Sequence, residues 1–239
     1  MNSNIVNNDV ILSNNIELLK ISKKLKKQEK IQKNIGYHLV KRSMDILGGI
    51  AGIVLLFPLT LIIMIAKFIT KENDGPIFYE QLRIGKNGKQ FRLYKYRSMV
   101  VNADKKLETY LEQNEEAKKE FQKYKKLRKD PRVTKVGNVI RRFSIDEFPQ
   151  FINVLKGEMS LVGPRPYLPK EQQDMEESYE TIITVKPGIT GYWQVNGRND
   201  IDFKERTQMD VEYIQNRSLW NDFKIVLKTV FKIFKKEGI

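Results

Sequence analysis

The sequence contains no cysteine, and His38 is its single histidine among 239 residues. Without cysteine the chain cannot form disulfides, thiolate metal sites or a thiol nucleophile. One histidine gives no basis for a histidine-rich metal site or a Ser-His-Asp triad. There is also no Walker loop and no dinucleotide glycine fingerprint. Any chemistry must therefore come from carboxylates, lysine, arginine, hydroxyl groups or a metal ion held by oxygen.

Acidic residues are scarce relative to basic ones: 29 Asp and Glu stand against 43 Lys and Arg, a net charge of +14. This surplus indicates an anionic partner, which is a nucleic acid, an anionic lipid or a phosphorylated substrate. The length suits one compact domain, or one domain with an appendage. We predict a basic N-terminal extension over 1–40, a membrane segment over 41–70 and a cytoplasmic catalytic domain over 71–239.

One long apolar run, from Ile46 to Ala66, carries no charge. As a helix it would be about 31 Å long, enough to cross a bilayer core. Both flanks are basic, which favours the cytoplasmic side for both. Pro58 removes a helix hydrogen bond in the second half of the run. We therefore predict a re-entrant helix-break-helix; a bent spanning helix and a buried core helix are the alternatives.

The remaining pattern predicts an α/β fold that is mostly helical. Short strands are expected near 77–79 and 91–94, joined by a turn over 85–88. The densely charged segment 104–129 predicts an exposed helix, and further helices should be interrupted near Ser144 and Pro149.

Two basic segments predict contact with lipid. Residues 20–40 are either a helix on anionic lipid or a solvated tail. At the C-terminus apolar residues recur at helical spacing with lysines on the other side, which predicts an amphipathic interfacial helix. The alternative is a helix packed on the core. Its apolar positions are Leu219, Trp220, Phe223, Val226, Leu227, Val230, Phe231 and Phe234.

The strongest candidate for chemistry is a pair of adjacent carboxylates, Asp146 and Glu147, that follows two arginines. An aspartate has a reference pKa of about 3.9, so it is ionised at neutral pH and can attack phosphorus without a general base. The arginines are expected to lower its pKa further and to bind phosphate oxygens. The alternative is a surface helix cap, because Ser144 and Glu147 have capping-box spacing.

Two other segments present cations in a restricted geometry. Prolines on both sides of Arg165 fix its backbone, which would restrict where the guanidinium points. Lys95 and Arg97 would share one face of a strand. Alone, each of these patterns is also compatible with an ordinary loop or an amphipathic strand.

Together these segments resemble the bacterial sugar transferase family, from about Lys41 to the C-terminus. The family consists of monotopic phosphoglycosyltransferases that transfer a sugar-1-phosphate from a UDP-sugar to undecaprenyl phosphate and release UMP. The matching segments are residues 130–137, 144–150, 153–157 and 159–166, with shorter matches at 41–45, 75–78, 83–85, 95–99, 187–191 and 197–198.

The resemblance implies that Asp146 is the nucleophile, that it forms a covalent phosphosugar, and that Glu147 is its partner. Both are also the implied Mg²⁺ ligands. Pro58 corresponds to the proline of the helix break, but Phe57 stands where the family often has serine, and Thr60 is the candidate substitute. The implied phosphate-binding residues are Lys95, Arg141 and Arg165, and further substrate-binding candidates are Arg97, Gln150, Arg198 and Asp210.

The expected partners are a UDP-sugar, undecaprenyl phosphate and the anionic membrane surface, with no nucleic acid; a homodimer is left open. The expected place is the cytoplasmic face of the bacterial plasma membrane, and the expected step is the first membrane step of exopolysaccharide, capsule or O-antigen synthesis. The competing hypotheses are a non-catalytic scaffold of polysaccharide export and a membrane-tethered nucleic-acid binder. The sequence does not indicate which sugar is transferred.

Overall fold

A computed structural model describes residues 34–72, 75–124, 126–197 and 201–234. The predicted basic extension therefore lies outside the described residues as far as residue 33, and so does Arg198. The chain divides into two compact units, 1–41 and 42–239. The described part of the first unit is helical from Ile35 onward.

The fold is mostly helical with two small sheets, which confirms the predicted α/β class. The elements in chain order are α1 (Ile35–Ile69), β1 (Phe78–Ile84), β2 (Gln90–Tyr96), α2 (Ala103–Gln113), α3 (Glu115–Tyr124), α4 (Lys135–Arg142), α5 (Gln150–Lys156), β3 (Ser160–Val162), α6 (Ser178–Ile182), β4 (Gly188–Thr190), α7 (Tyr192–Asn196), α8 (Phe203–Asn216) and α9 (Leu219–Phe234). Four short 3₁₀ turns are also described, at Lys86–Gly88, Ile145–Glu147, Pro169–Glu171 and Gln173–Met175.

The predicted hairpin is present, with longer strands than the sequence pattern indicated. Strands β1 and β2 are antiparallel, with Phe78 opposite Tyr96 and Ile84 opposite Gln90. The connection turns through Asn87 and Gly88, both at positive φ (59° and 72°). Asparagine and glycine tolerate this region better than other residues, which explains the tight reversal.

The charged segment forms two helices, α2 and α3, where a single one was predicted. Asn114 separates them with an extended backbone, φ −139° and ψ 98°. Its side-chain oxygen accepts a hydrogen bond from the Ala117 amide at 3.0 Å. Asparagine favours helix N-termini because its side chain satisfies a free amide there, so a new helix begins at this point.

Helix α1 is long and apolar enough to cross a membrane by length and composition. Its large apolar side chains are mostly exposed: Phe57 is 79% and Phe68 is 74% accessible. A core helix of a soluble protein would bury these side chains, so the buried-core alternative does not agree with the structure. The buried positions of α1 are Asp45, Gly49, Gly52, Ile63 and Lys67.

Helix α1 is continuous across Pro58, although the sequence predicted two helical segments with a break between them. Proline removes one backbone donor, and hydroxyl groups supply hydrogen bonds in the same turn. The Thr60 hydroxyl donates to the Leu56 carbonyl at 2.7 Å, and the Tyr96 hydroxyl lies 2.6 Å from Thr60 Oγ1 and 3.1 Å from that carbonyl oxygen. Thr60, the candidate substitute for the serine that Phe57 replaces, thus places its hydroxyl group in the turn that contains Pro58.

Two charged residues near the start of the second unit attach α1 to the rest of the fold. Arg42 donates to two carbonyls at the C-terminal end of α5, at 2.7 and 2.9 Å. The carboxylate of Asp45 accepts hydrogen bonds from the Ser160 hydroxyl and the Leu161 amide, both at 2.9 Å. Cations are favoured at helix C-termini, where carbonyls lack intrahelical partners.

Three glycines of α1 let other side chains approach its backbone closely. A Cβ at Gly52 would lie 2.2 Å from the Phe151 ring, and a Cβ at Gly49 would lie 2.6 Å from Leu155. Gly48 faces Leu161 in the same way, at 2.5 Å. This glycine face therefore packs directly on α5 and β3.

Helix α9 packs on the core along one side, as the alternative to the interfacial helix predicted; contact of its other side with lipid stays a prediction. Ile225 is buried in the main core beside Tyr167, Tyr213 and Ile214. Large apolar side chains on the other side stay exposed, namely Trp220, Phe223, Leu227, Val230 and Phe231. One side of α9 packs on the domain, and the other presents an apolar surface of the kind that suits a lipid interface.

Candidate active site

The adjacent carboxylates lie on a 3₁₀ turn, Ile145–Glu147, between α4 and α5. Ser144, which precedes it, adopts a left-handed backbone with φ 54° and makes no side-chain capping bond. The capping-box alternative is therefore wrong. A non-glycine residue in this conformation costs roughly 1–2 kcal/mol, and such residues are typical of functional sites.

Apolar residues on both sides of the carboxylates fix the turn. Ile145 and Phe148 pack against a cluster that contains Tyr96 from β2, Ile140 from α4 and Ile63 from α1. The turn is therefore anchored to the hairpin and to the apolar helix α1 at the same time.

Asp146 is buried, at 9% exposure, beside Glu147, Lys95 and Arg141. Burial raises the pKa of Asp146 to about 6; the charge of Glu147 adds to this, whereas Lys95 and Arg141 lower it. The expectation that arginines would lower this pKa overall was wrong, because desolvation outweighs them. A pKa of about 6 leaves the carboxyl group mostly ionised at pH 7.

Glu147 meets a different environment from its neighbour. Its Oε1 lies 2.7 Å from Lys95 Nζ, and both side chains are about a quarter exposed, at 23% and 24%. Burial alone would raise the pKa of Glu147. The pKa is nevertheless lowered overall, because the charge and hydrogen bond of Lys95 outweigh burial, together with the charge of Arg165 and a hydrogen bond from Gln150. Adjacent carboxyl groups whose pKa values move in opposite directions are suited to different roles.

Arg165 is held in its loop by a buried carboxylate. Asp210 of α8 is fully buried and accepts hydrogen bonds from the Arg165 amide at 3.1 Å and the Tyr167 hydroxyl at 2.9 Å. Burial raises the pKa of Asp210 to about 7. Asp210, predicted as a substrate-binding candidate, therefore contacts protein atoms and positions the backbone that carries Arg165.

The other predicted residues divide into near and remote groups. Gln150 is buried and bonds to Glu147, and Arg141 is exposed near Asp146. Arg97 is not joined to the pair by any contact among the described residues. Its Nε donates to the Pro76 carbonyl at 2.9 Å, and its guanidinium lies 5.4 Å from the Tyr79 ring centre. Arg198 lies outside the described residues.

Two arginines near this site were given no role by the sequence. Arg83 belongs to a matching motif, and its guanidinium donates to the Pro166 carbonyl at 2.8 Å. Arg206 lies one helical turn before Asp210 on α8 and belongs to no motif. The spacing of Arg206 and Asp210 on one face of a helix is the only sequence signal that could have located it.

The carboxylate pair is compatible with a magnesium ion. Mg²⁺ commonly binds one or two carboxylates and takes its other ligands from substrate phosphates and water. Glu147 is bonded to both Lys95 and Gln150, so its remaining lone pairs and the Asp146 carboxylate would be the ligands. Among the residues that the structure describes, no group of three or more His, Asp or Glu side chains could hold a metal ion.

Comparison with known proteins identifies the family. Residues 36–236 match the family described as "Bacterial sugar transferase". The chain belongs to the bacterial sugar transferase family. It is 39% identical over 228 residues to the undecaprenyl-phosphate galactose phosphotransferase of Salmonella typhimurium, an alignment that covers 95% of this chain and 46% of that protein.

Other bacterial sugar transferases differ in length. The exopolysaccharide production protein ExoY of Sinorhizobium fredii is 43% identical over 199 residues, 83% of this chain and 87% of ExoY. The UDP-glucose:undecaprenyl-phosphate glucose-1-phosphate transferase of Escherichia coli is 42% identical over 204 residues, 82% of this chain and 40% of that protein. The chain thus spans less than half the length of some curated relatives and most of the length of others.

Proposed function

We propose that this protein transfers a sugar-1-phosphate from a UDP-sugar to undecaprenyl phosphate and releases UMP. The observation that carries this proposal is the buried carboxylate of Asp146 beside the Glu147–Lys95 ion pair. The names of the relatives support the same substrate classes, because they include transferases of galactose and glucose phosphate to undecaprenyl phosphate.

In the first step a carboxylate oxygen of Asp146 forms a bond to the phosphorus that carries the sugar. The bond from that phosphorus to the bridging oxygen breaks, and its electron pair leaves with UMP. The attacking oxygen is already an anion, so no general base is needed. The product is an acyl phosphate that joins Asp146 to the sugar phosphate.

In the second step an oxygen of undecaprenyl phosphate forms a bond to the same phosphorus. The bond to Asp146 breaks, and its electron pair restores the carboxylate. The lipid then carries a pyrophosphate linked to the sugar. Because both nucleophiles are anions, the chief requirement is neutralisation of charge on the phosphoryl oxygens.

The cations of the site meet this requirement. Lys95 favours the ionised form of Glu147 and lies close to Asp146. Arg141 of α4 adds positive charge near Asp146, and Arg165 adds positive charge near Glu147. Asp146 and Glu147 would hold the Mg²⁺ ion. When bound, the ion supplies charge neutralisation at the transferring phosphoryl group.

The lipid acceptor requires the site to lie at a membrane surface. The exposed apolar side chains of α1 and of the outer face of α9 suit lipid contact. The protein would lie on the cytoplasmic face of the bacterial plasma membrane. Because a proline can kink a helix without ending it, α1 would enter and leave on that face although it is continuous across Pro58. The reaction would be the first membrane step of exopolysaccharide, capsule or O-antigen synthesis.

The test is a covalent-trapping measurement on purified protein in detergent, with UDP-glucose or UDP-galactose and no lipid acceptor. We expect the intact mass to increase by one phosphosugar as UMP is released. Asp146→Asn should abolish both signals, by at least about a thousandfold in rate, because an amide cannot replace the carboxylate nucleophile.

The matched control is Asp104→Asn, which removes one exposed carboxylate from α2. It should keep the wild-type rate. UMP release by the Asp146→Asn protein at the wild-type rate would contradict the assignment of the nucleophile. A wild-type protein that forms no adduct with any UDP-sugar would instead favour the scaffold hypothesis.

A further inference from the structure

Helix α1 ends in a backbone turn that fixes the position of Glu72. The helix ends at Ile69, and Lys71 adopts a left-handed conformation with φ 55°. The Lys71 amide donates to the Phe68 carbonyl at 3.2 Å, and the Glu72 amide donates to the Lys67 carbonyl at 2.8 Å. These two bonds form a Schellman motif, in which glycine is the usual left-handed residue. Lysine is strained in that conformation, so the direction in which the chain leaves α1 is maintained at a cost.

The Glu72 side chain reaches the N-terminus of α4, which is distant in the sequence. Its two carboxylate oxygens accept hydrogen bonds from the Lys135 amide at 2.7 Å and the Val136 amide at 3.0 Å, one bond to each oxygen. The Thr134 hydroxyl accepts a hydrogen bond from the Gly137 amide at 2.9 Å. The first three amides of α4 have no acceptor within the helix, and side-chain oxygens thus satisfy all of them.

Charge strengthens this contact. Burial alone would raise the pKa of Glu72. Hydrogen bonds with Val136, Thr134 and Lys135 nevertheless lower it overall, and the charge of Lys67 acts in the same direction. The side chain is therefore an anion at neutral pH, and the dipole of α4 favours an anion at its N-terminus. Without this side chain, two amides of α4 would lose their acceptors.

Helix α4 connects this contact to the 3₁₀ turn Ile145–Glu147, which carries Asp146. The helix has only eight residues, about 12 Å, and its last turn contains Arg141. The Ser144 amide donates to the Arg141 carbonyl at 3.0 Å, and the 3₁₀ turn begins at the next residue. Ile140 of α4 and the first residue of the turn pack in the same apolar cluster. So short a helix is marginally stable alone, so a shift of its N-terminus would move the turn as well.

Glu72 differs from an ordinary helix cap because of where its backbone is anchored. The residue that precedes α4, Thr134, already supplies the usual capping bond. Glu72 adds a bond that comes from the last turn of the helix that would enter the membrane. The contact therefore joins the apolar helix to the turn with the proposed nucleophile.

We infer that Glu72 is a positioning residue for transfer to the lipid, because it holds the turn with Asp146 at a fixed distance from the end of α1. This inference rests on the proposed function. The membrane sets the depth of the phosphate of undecaprenyl phosphate, so the phosphosugar on Asp146 must be held at a matching depth. A UDP-sugar arrives from water and can follow the turn when it shifts. Loss of the contact should therefore slow transfer to lipid far more than adduct formation.

The experiment uses the full-length protein in vesicles of phosphatidylglycerol and phosphatidylethanolamine, with Glu72→Ala and Glu72→Gln. Two quantities are measured: the rate of adduct formation from UDP-glucose or UDP-galactose without acceptor, and the second-order rate constant for transfer from preformed adduct to undecaprenyl phosphate. We expect Glu72→Ala to keep the first within about twofold and to lower the second by about tenfold or more, because small misplacements of reacting groups are costly. Glutamine keeps one acceptor oxygen, so its effect should be smaller.

A short-chain polyprenyl phosphate that dissolves in water separates positioning from general damage to the site. It approaches from water at no fixed depth, so Glu72→Ala should transfer to it at close to the wild-type rate. The matched control is Glu115→Ala, which removes an exposed carboxylate from the first turn of α3, where it lies 3.9 Å from Lys118. It should leave every rate unchanged. The melting temperature of each variant is measured in parallel.

The outcomes separate this inference from the proposed function. A selective loss of transfer to undecaprenyl phosphate supports the positioning role. Equal losses in both half-reactions overturn it, because Glu72 would then only stabilise the fold, and so do rates equal to those of Glu115→Ala. If Glu72→Ala fails to fold, Glu72→Gln is judged by the same criteria. A wild-type protein that forms no adduct contradicts the proposed function and this inference together, whereas a wild-type protein that completes the transfer leaves the Glu72 variants to decide the inference alone.

Discussion

Asp146 and Glu147 are neighbours in the chain, yet their carboxyl groups meet opposite surroundings. The pair itself and its proposed roles could be predicted from the sequence, because two carboxylates beside two arginines within a matching motif are specific. The direction of the Asp146 pKa shift could not be. The shift is caused mainly by burial of the Asp146 carboxyl group. That burial results from tertiary packing of Ile145 and Phe148 against the cluster that contains Tyr96.

The buried carboxylate of Asp210 should make stability depend on pH. Burial raises its folded-state pKa from 3.8 to about 7. The folded protein therefore holds this proton where the unfolded chain has lost it, so the stabilisation is complete below about pH 4 and is lost as pH rises through 7. Asp210→Asn keeps the acceptor oxygen for Arg165 and removes the titration.

We expect the melting temperature of Asp210→Asn, relative to wild type, to rise between pH 5 and pH 8. The corresponding free-energy difference should change by at most about 1.4 kcal/mol per pH unit. Melting of both proteins in one detergent across this range measures it, with the exposed-site variant Asp104→Asn as control. A constant difference between Asp210→Asn and wild type at every pH would contradict the raised pKa.

At the scale of elements, the glycine face of α1 determines how closely the membrane helix approaches the domain. Gly52→Ala places a methyl group 2.2 Å from the Phe151 ring, closer than atoms can approach. Alanine would raise helix propensity by about 1 kcal/mol, but overpacking costs about 1–3 kcal/mol. We therefore expect a net loss of stability, seen as a lower melting temperature in detergent.

A double-mutant cycle with Phe151→Ala isolates this contact. Removal of the ring vacates the space that the new methyl group needs, so Gly52→Ala should be neutral or stabilising in that background. Equal destabilisation in both backgrounds would show that the close approach at Gly52 is not the cause.

The elements themselves could be predicted unevenly. Periodicity located the hairpin, the interrupted helices around the carboxylates and α9, because each rests on a local pattern. The division between α2 and α3 was missed because one asparagine, Asn114, competes with a run of strong helix formers. The continuity of α1 through Pro58 was missed because the proline was expected to divide the helix, whereas within this long helix it removes a single backbone donor.

At the scale of the whole molecule, the re-entrant arrangement of α1 is testable because the chain has no cysteine. Ser22→Cys and Asn87→Cys place single thiols on the two sides of the apolar helix. If α1 returns to the face it entered, both thiols should be shielded from an impermeant reagent added to intact cells. Both should react after lysis.

Labelling of only one thiol in intact cells would establish a spanning helix. In that case the two basic flanks would lie on opposite sides of the membrane, against the preference of basic residues for the cytoplasm. Arg128→Cys, within the described part of the catalytic domain, is the control: it should give the same result as Asn87→Cys in either topology.

The molecule could be placed at a membrane and in its family from the sequence, whereas its buried charges could not be located. The +14 surplus does not reveal that Arg83 and Arg206 are buried, since sequence patterns place arginine on surfaces by default. Arg83 lies on β1 and Arg206 on α8, far apart in the sequence, so no local pattern indicates that tertiary packing buries them.

Strand β2 has a consequence for how this protein can vary. Lys95 reaches the carboxylate pair, and the next residue, Tyr96, reaches the turn of α1 at Leu56. Consecutive residues of a strand point to opposite sides, so one inserted residue would exchange the two partners. An insertion or deletion in β2 would therefore separate the contact to the carboxylate pair from the contact to α1. The length of β2 is therefore constrained together with the identities of Lys95 and Tyr96.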